Sequence, residues 1–474
     1  MKTSKVVIVL LAVFFSACNI PKAIQKQESK SVPATYSLAG SDTINSGSKA
    51  WSAFYKDENL KQLIDEALKK NQEFNIVLQE IEIAKNEARA RKAAYLPFVN
   101  IGAGAGAERS ARYTRNGAVD ANLPITGAQN FPDPLPDLLL GTSISWEADI
   151  WKKLRNYRKA AIYRYLATAE GKNFMATRLV SEIANSYYEL EALDNQLEIL
   201  KQNISIQQNA LEIVKLEKIS AKVTELAVKK FEAEVLKNQS RIYSIQQDIV
   251  ETENRINFLC GRFPQTIPRN SQNFIALQPD TVQSGIPSQV LVNRADIRQA
   301  ELELAATKLN VKAARANFYP SFVITANAGY QAFNAAYLLK SPQSLLYNVA
   351  GELMAPLLNR NAIKAEYLNA NAKQIQAAYN YEQRILQACI EVSNQLSNIS
   401  NLSQSFAFKE KQVNALTQSI DISTGLFRNA RADYMEVLMT QRDALDSKFE
   451  LIETRKQQMH AMINIYRALG GGWK

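Results

Sequence analysis

The fold is decided by the stretch Ala430-Arg431-Ala432-Asp433-Tyr434-Met435-Glu436-Val437, because a related stretch lies 209 positions earlier. The earlier stretch reads Ala221-Lys222-Val223-Thr224-Glu225-Leu226-Ala227-Val228. The correspondence continues without a gap to Ile465-Tyr466-Arg467-Ala468-Leu469-Gly470, which aligns with Ile256-Asn257-Phe258-Leu259-Cys260-Gly261. Because both ends of the match are separated by the same 209 positions, the sequence indicates an internal duplication.

Two further pairs of segments support the duplication. Residues 93–101 resemble residues 316–324 at an offset of 223, and residues 150–153 resemble residues 357–360 at an offset of 207. Each half is therefore predicted to contain a helix, a strand that begins after a proline, a loop, a second strand and a long helical hairpin. The changes in offset mark loops of different length.

The composition favours long helices. The 474 residues include only 17 glycines and 14 prolines, and helix breakers are this scarce where much of a chain is helical. The net charge of +10 is compatible with nucleic acid, with anionic lipid headgroups or with a solvated helical surface. Basic and acidic residues are interleaved along the predicted helices, which favours the solvated surface, and no nucleic-acid partner is expected.

The N terminus has the features of an export signal. Residues 1–17 carry Lys2 and Lys5 before an apolar run that is too short to cross a membrane. The sequence Phe15-Ser16-Ala17-Cys18 resembles a bacterial lipobox, which predicts that Cys18 becomes the first mature residue and carries a covalent lipid. Residues 18–50 are polar and are predicted to form a lipidated tether. No other cofactor and no metal site are expected.

Alternation of apolar and polar residues predicts strands. After Pro97 the period changes to two, and over residues 142–150 the apolar residues fall on one face and the serines and carboxylates on the other. This pattern suits a strand between lipid and water, and it also suits a half-buried strand of a soluble sheet. The second half repeats it in residues 322–330 and 347–355. Four strands cannot close a barrel, so several chains are expected to share one.

The helix lengths predict how the bundle is built. A single helix is predicted from residue 152 to about residue 220, and its returning partner over residues 221–261 is much shorter. A helix predicted over residues 288–318 makes up the difference, so each long helix is expected to lie beside two half-length helices placed end to end. The predicted units are residues 1–17 (signal), 18–50 (tether), 51–262 (repeat 1), 263–287 (linker with four prolines) and 288–474 (repeat 2).

The two returning helices differ in the residues that face their partners. Residues 228–259 carry an apolar heptad seam that is interrupted at Asn238 and Thr252, whereas the seam in residues 437–465 is more polar. The first hairpin is therefore expected to be held firmly and the second more loosely. Residues 108–137, with their prolines and glycines, are predicted to form a long exposed loop.

No pattern typical of a catalytic centre occurs in the sequence. The chain has one histidine, His460, which is predicted to lie at a solvated helix position. It lacks Cys-x-x-Cys, Gly-x-Ser-x-Gly and His-Glu-x-x-His patterns, so an enzyme is not predicted. Cys260 and Cys389 could pair in an oxidising compartment, although two buried thiols are the default expectation.

Aromatic and basic residues cluster near the ends of the predicted strands. Such residues are typical of membrane boundaries, where rings and amines contact lipid headgroups. The candidate interface residues are Trp146, Trp151, Lys152, Lys153, Tyr319 and Phe322. The basic run that starts at Lys152 also fits a plain solvated helix start, and both interpretations stay open.

Three motifs carry a family resemblance: the C-terminal Tyr466-Arg467-Ala468-Leu469-Gly470-Gly471-Gly472-Trp473, the run Arg294-Ala295-Asp296-Ile297, and the lipobox. Together they resemble the lipoprotein branch of the TolC family of outer-membrane efflux channels. The resemblance covers nearly the whole mature chain. It departs from the family at Ala295, where proline is usual, and at Ala221 and Ala430, where glycine is frequent.

The resemblance implies a mainly helical fold with a membrane β-barrel and an internal two-fold repeat. A homotrimer would share one barrel of twelve strands in the outer membrane, and its long α-helical hairpins would form a tunnel in the periplasm. Such a channel is a passive duct for drugs or metals that works with a periplasmic adaptor protein and an inner-membrane efflux transporter. The alternatives are a type I secretion duct of the same fold and a lipid-tethered periplasmic scaffold or adaptor.

The resemblance also points to a periplasmic gate at the second hairpin turn. The candidate gate residues are Phe427, Arg428, Arg431, Asp433 and Glu436. In the resembling channels an acidic residue at the position of Glu436 forms a ring, which a multivalent cation could bridge. Arg428 and Arg431 could tie neighbouring helices by charge-assisted hydrogen bonds. Alternatively these charges are solvated, because a second acidic position of the family is Met439 here.

Overall fold

The computed structural model describes residues 20–22, 24, 26–36, 44–126, 129–355, 360–429 and 431–474. Cys18, the predicted lipid site, and Ala430, in the second hairpin turn, lie outside the described residues. The chain divides into two compact units. Of the described residues, those within 20–27, 83–165 and 302–378 form the first unit, and those within 28–82, 166–301 and 379–474 form the second.

Helices make up most of the described chain. They are α1 (Trp51–Phe54), α2 (Glu58–Lys70), α3 (Gln72–Ala93), α4 (Arg115–Asn122), α5 (Lys153–Ile219), α6 (Glu225–Leu259), α7 (Pro287–Asn293), α8 (Ala295–Ala316), α9 (Arg360–Arg428) and α10 (Tyr434–Ala468). Two short 3-10 helices are Ser46–Ser48 and Ser271–Ala276. Within the ranges described, no helix is both long enough and apolar enough to cross a membrane.

The predicted duplication is visible in the element lengths. Helices α3 and α8 are each 22 residues long, and α6 and α10 are each 35 residues long. The long helices α5 and α9 have 67 and 69 residues. The starts of α6 and α10 are separated by the same 209 positions as the matched sequence stretches.

The helices predicted over residues 51–95 and 288–318 are interrupted. The first breaks after Phe54 and again at Asn71, and the second breaks at Arg294, which is the equivalent position at the offset of 223. At the second break the Asn71 side-chain amide donates to the carbonyl oxygen of Leu259 at 2.9 Å, and its Oδ1 accepts from the Phe74 backbone amide at 2.8 Å. Because Asn71 caps the Phe74 amide, α3 can begin there without glycine or proline.

The first unit contains a four-stranded antiparallel sheet in the order β1 (Phe98–Glu108), β4 (Leu135–Ala148), β5 (Ser321–Ala332) and β6 (Leu345–Met354). A separate short pair is formed by β2 (Pro124–Thr126) and β3 (Gln129–Asn130). The prediction of a long exposed loop over residues 108–137 missed the regular structure that this stretch contains. Helix α4 lies within it, and β4 begins seven residues before the predicted strand because residues 138–140 pair with both β1 and β5.

The second unit has an apolar core in which α2 packs on α5 and α10. Leu60 and Ile64 of α2, Tyr187 of α5 and Tyr466 of α10 are all buried there. Cys260 belongs to this core, Cys389 is half-buried, and both are free thiols. His460 differs from the prediction of a solvated position, because it is half-buried with Nε2 3.0 Å from the carbonyl oxygen of Asn185.

The more polar seam of α10 does not leave this helix more exposed than α6, and whether the second hairpin is held more loosely stays a prediction. Helix α10 has seventeen buried residues, whereas α6 of equal length has ten. The polar seam of α10 packs well because Ser447 and Thr454 donate their hydroxyl hydrogens to carbonyl oxygens of the same helix at 2.9 and 2.8 Å. Small side chains that satisfy their own hydrogen bonds can be buried at little cost.

The predicted tether packs against the second unit in its residues 28–36 and 44–45. The Ser29 amide donates to Glu382 of α9 at 3.0 Å, and the Lys30 amine pairs with Glu301 of α8 at 2.5 Å. Tyr36 is buried, and Asn45 forms a β-bridge with Ser284. Polar groups of the predicted tether thus have bonded partners in these stretches.

Candidate functional sites at the hairpin tips and the sheet end

The first hairpin turn joins α5 to α6 through a residue in a left-handed conformation. Ala221 has φ of +55°, its amide donates to the Lys218 carbonyl at 2.9 Å, and the Lys222 amide donates to the Glu217 carbonyl at 3.0 Å. This geometry closes the end of α5. It also explains why glycine is frequent at this position in the resembling family, because a Cβ disfavours positive φ.

Substituting Ala221→Gly is expected to stabilise the closed turn by about 1 kcal/mol, because it removes the strain of an alanine at positive φ. Hydrogen exchange of the Lys222 amide should then slow several-fold. The control Ala233→Gly, at an exposed position inside α6, should destabilise that helix by about 1 kcal/mol. Faster exchange at the turn in Ala221→Gly would contradict the assigned strain.

The second hairpin turn joins α9 to α10. The Arg431 amide donates to the Leu426 carbonyl at 2.9 Å, and the Glu436 amide donates to the Asp433 carbonyl at 3.1 Å. Asp433 is the residue before the first turn of α10, and its side chain makes no capping hydrogen bond. The carboxylates of Asp433 and Glu436 are both exposed.

An apolar cluster joins the two hairpin tips. Val228 and Phe231 of α6 are buried with Val214 of α5, and Phe427 and Tyr434 of the second hairpin pack against them. Phe427 is half-buried in this contact, so it anchors one tip to the other. Sequence reasoning placed Phe427 at the gate and missed its packing, although the heptad seam of α6 already indicated an apolar surface at this end.

The four charged gate candidates remain available for contacts beyond the chain. Arg428, Arg431, Asp433 and Glu436 are exposed, and none of them has an ion-pair partner among the described residues. Near them, Lys218 pairs with Glu225, and the Lys230 amine lies 3.8 Å from the Met435 sulfur. The predicted arginine ties to neighbouring helices are therefore absent within one described chain, and their formation between copies stays a prediction.

Two tryptophans are held at the end of the sheet in the first unit. Trp146 in β4 donates its indole hydrogen to the Tyr95 carbonyl at 3.1 Å, and Trp151 donates to the Pro320 carbonyl at 2.8 Å. The Trp151 ring stacks on Tyr319 at 4.6 Å between ring centroids. Rings with one bonded polar edge and an otherwise apolar body suit the boundary between lipid and water.

The start of α5 is fixed by Asp149, which the sequence prediction did not single out. Its buried carboxylate accepts hydrogen bonds of 3.0 Å from the amides of Leu154 and Arg155 and from Arg155 Nε. Lys152 has φ of +61°, and the Lys153 amine pairs with Glu147 at 2.5 Å. An aspartate shortly before a helical pattern is the signal that could have identified this cap.

The remaining interface candidate, Phe322, lies in β5 opposite Leu353 of β6. Its ring covers Gly351, where an added Cβ would come within 3.2 Å of it. The structure thus places Trp146, Trp151 and Tyr319 with Lys153 and Phe322 at one end of the first unit. A cavity of about 270 Å³ there is lined by Trp151, Lys153 and Tyr319 among others.

Comparison with known proteins decides the family. Residues 63–262 and 286–471 match the sequence profile described as Outer membrane efflux protein, and the two matched ranges follow the two repeats. The chain belongs to the outer membrane efflux protein family. It is accordingly an outer-membrane protein that functions in efflux.

Individual relatives of this efflux family match over nearly the full length. The chain is 25% identical to the cation efflux system protein CusC of Escherichia coli O6:H1 over 98% of each chain. It is 26% identical to the pyoverdine export outer membrane protein OpmQ of Pseudomonas aeruginosa, over 93% of this chain and 90% of OpmQ. The outer membrane channel MtrE of Neisseria gonorrhoeae, solved in an open state, shares the fold with a TM-score of 0.82 at 20% identity, covering 96% of this chain and 98% of MtrE.

Proposed function

We propose that three copies of the chain form a passive outer-membrane duct, with one shared barrel and one helical tunnel. The observation that carries this proposal is the open sheet. Among the described residues, β1 and β6 each pair with one strand only, and Ile101 on β1 and Tyr347 on β6 are 82% and 79% exposed. Unpaired backbone edges are unfavourable in isolation, and pairing β1 of one copy with β6 of the next would satisfy their hydrogen bonds. The exposed apolar side chains suit a sheet face that contacts lipid.

The duct would meet its partners at the hairpin tips. The exposed, unpaired charges of Arg428, Arg431 and Glu436 are suited to a periplasmic adaptor protein, because charge-assisted hydrogen bonds can form there without breaking existing pairs. An inner-membrane efflux transporter would supply the energy. The type I secretion alternative has the same architecture, and the efflux names of the relatives favour efflux.

The cargo is proposed to be selected by these partners, and not by the duct. Relatives of nearly equal similarity are named for cation efflux and for pyoverdine export. Such different cargoes among comparable relatives support a duct with little selectivity of its own. Genetic association of this chain with one transporter would identify the cargo.

The gate proposal predicts that Glu436→Ala abolishes or strongly weakens block of the channel by trivalent cations. Three carboxylates near one axis would bind such cations, and their removal leaves no ring of negative charge. Single-channel recordings measure conductance and block directly. The control Glu212→Ala removes an exposed carboxylate of α5 that pairs with Lys215, and it should leave block unchanged. Unchanged conductance and unchanged block in Glu436→Ala would exclude Glu436 from the gate.

Lipidation of Cys18 is proposed from the lipobox. Cys18→Ser should prevent incorporation of labelled palmitate and leave an unprocessed form, because serine lacks the thiol that accepts the lipid. Processing is read from the mass of the purified chain. The control Cys389→Ser, which removes a half-buried thiol, should incorporate label normally. Equal labelling of Cys18→Ser and wild type would show that the lipid is elsewhere or absent.

A further inference from the structure

A cavity of about 190 Å³ in the second unit is lined by four arginines from different parts of the chain. Arg178 comes from α5, Arg294 from the break between α7 and α8, Arg384 from α9, and Arg467 from the last turn of α10. The C-terminal segment closes one side at Gly470, whose φ of +89° and contact with the Asn293 carbonyl leave no room for a side chain. Residues from separate elements of the chain therefore form this cavity.

Two of the four arginines form ion pairs with carboxylates of the protein. Arg294 is 7% exposed, with a bidentate pair to Asp296 at 3.0 and 2.7 Å and a third bond to Glu391 at 2.6 Å. Arg178 pairs with Glu73 at 3.0 Å. The carboxylates that line the cavity, Asp296 and Glu391, are both used by Arg294.

The other two arginines have no partner in the described chain. The guanidinium groups of Arg384 and Arg467 are exposed, line the same cavity, and form no ion pair or hydrogen bond with a described residue. Two arginine charges that line this cavity are thus without a counter-charge in the described chain, and a bound anion would supply one.

We propose that this cavity binds a small oxyanion of the phosphate class, held between Arg384 and Arg467. The planar guanidinium fork matches two oxygens of a tetrahedral anion, and the cavity is lined by two such forks that have no partner in the described chain. The buried Arg294 with its carboxylates holds the floor of the cavity in place. The ligand is either free phosphate or the phosphate group of a larger molecule. This inference is independent of the proposed duct, because it uses neither the sheet edges nor the hairpin tips.

Titration calorimetry of the purified full-length protein with inorganic phosphate tests the proposal. Saturable binding is expected at one site per chain, weakening as salt rises, and at least tenfold weaker in Arg384→Gln/Arg467→Gln. The control Arg442→Gln, an exposed arginine of α10 that pairs with Asp443, should bind phosphate as wild type does. Both cavity substitutions are at exposed positions, and circular dichroism with the single variants establishes that folding is retained.

The same experiment with glycerol phosphate distinguishes the two sources of the oxyanion. Tighter binding than inorganic phosphate assigns the site to a phosphate monoester, and weaker binding assigns it to free phosphate; both results support the site. Absence of saturable binding by either ligand overturns the proposal. Equal affinity of the wild type and the double variant overturns it as well, because the phosphate would then bind elsewhere.

Discussion

Replacing Glu191 with glutamine is expected to raise the stability of the folded protein at pH 8 to 9 by a few kcal/mol, while leaving stability near pH 4 almost unchanged. Glu191 lies in α5, is 1% exposed, and its Oε2 has no hydrogen-bond partner among the described residues. Burial, which is the largest cause, and the neighbouring carboxylates of Asp57 and Asp194 together raise the pKa of its carboxyl to about 8. An ionised Glu191 is therefore costly in the folded state.

The direction of the effect follows from proton linkage. Below about pH 4.5 the carboxyl is protonated in both the folded and the unfolded chain, so it does not affect stability. Between pH 4.5 and about pH 8 the folded chain keeps the proton that the unfolded chain has lost, so stability falls as pH rises. Above pH 8 the whole penalty is present. Glutamine has no such proton to lose, and the difference of several pKa units is on the order of 4 kcal/mol.

The groups around Glu191 are consistent with a neutral carboxyl. Tyr187, whose hydroxyl donates to Asp57 Oδ2 at 3.1 Å, and Arg269 both lower the pKa of Glu191, but by less than burial and the two carboxylates raise it. Arg269 in the linker is already paired with Asp194 and with Glu253. It is therefore not free to neutralise an additional carboxylate.

Thermal unfolding in detergent between pH 4 and pH 9 measures the effect. The control Glu198→Gln, an exposed residue of the same helix that accepts from Gln202, should shift the midpoint by less than a degree or so at every pH, since surface groups contribute little. Parallel pH profiles for wild type and Glu191→Gln would show that Glu191 is ionised throughout and that the assigned pKa is wrong.

Arg294→Met is expected to lower the free energy of unfolding by about 3–5 kcal/mol, because it leaves buried acidic partners without a counter-charge. The side chain of Arg294 bonds to Asp296, to Glu391 and to the Ala468 carbonyl. It thus connects the start of α8 with α9 and the end of α10. Methionine keeps much of the volume, so the effect reports the lost charge and hydrogen bonds.

Urea unfolding followed by circular dichroism provides the measurement. The matched control is Arg298→Met, one turn further along α8, whose guanidinium pairs with Glu170 at 2.9 Å and is 43% exposed. That substitution should cost about 0–1 kcal/mol, as expected for a partly exposed pair. Similar costs for the two variants would show that the Arg294 network contributes no more than a surface ion pair.

Much of the fold could be predicted because the duplication constrains both halves together. The offset of 209 predicted two returning helices of equal length, and the alternation before residue 150 predicted a strand there. The helix breaks at Asn71 and Arg294 were not predictable, since both depend on hydrogen bonds to residues far along the chain. Helix propensity at a single position does not contain that information.

The candidate sites were predicted less completely than the fold, because many of their contacts join residues that are far apart in the sequence. Exposure of Glu436 and the location of Trp146 near the sheet end follow from local patterns. The anchoring role of Phe427, the cap supplied by Asp149 and the burial of His460 depend on which helices meet in space. The seam of α10 is polar, as the sequence predicted. The helix is nevertheless well buried, because small hydroxyl side chains can bond to carbonyl oxygens of their own helix.

Recording the ionic current through purified protein in planar lipid bilayers tests whether the chain forms an outer-membrane duct. The proposed duct predicts discrete conductance steps of one size, blocked by trivalent cations added on one side only, because the proposed gate would lie on one side of the membrane. Flotation with vesicles establishes separately that the protein has inserted. Inserted protein that shows no conductance steps would contradict the proposed duct and favour a lipid-tethered scaffold.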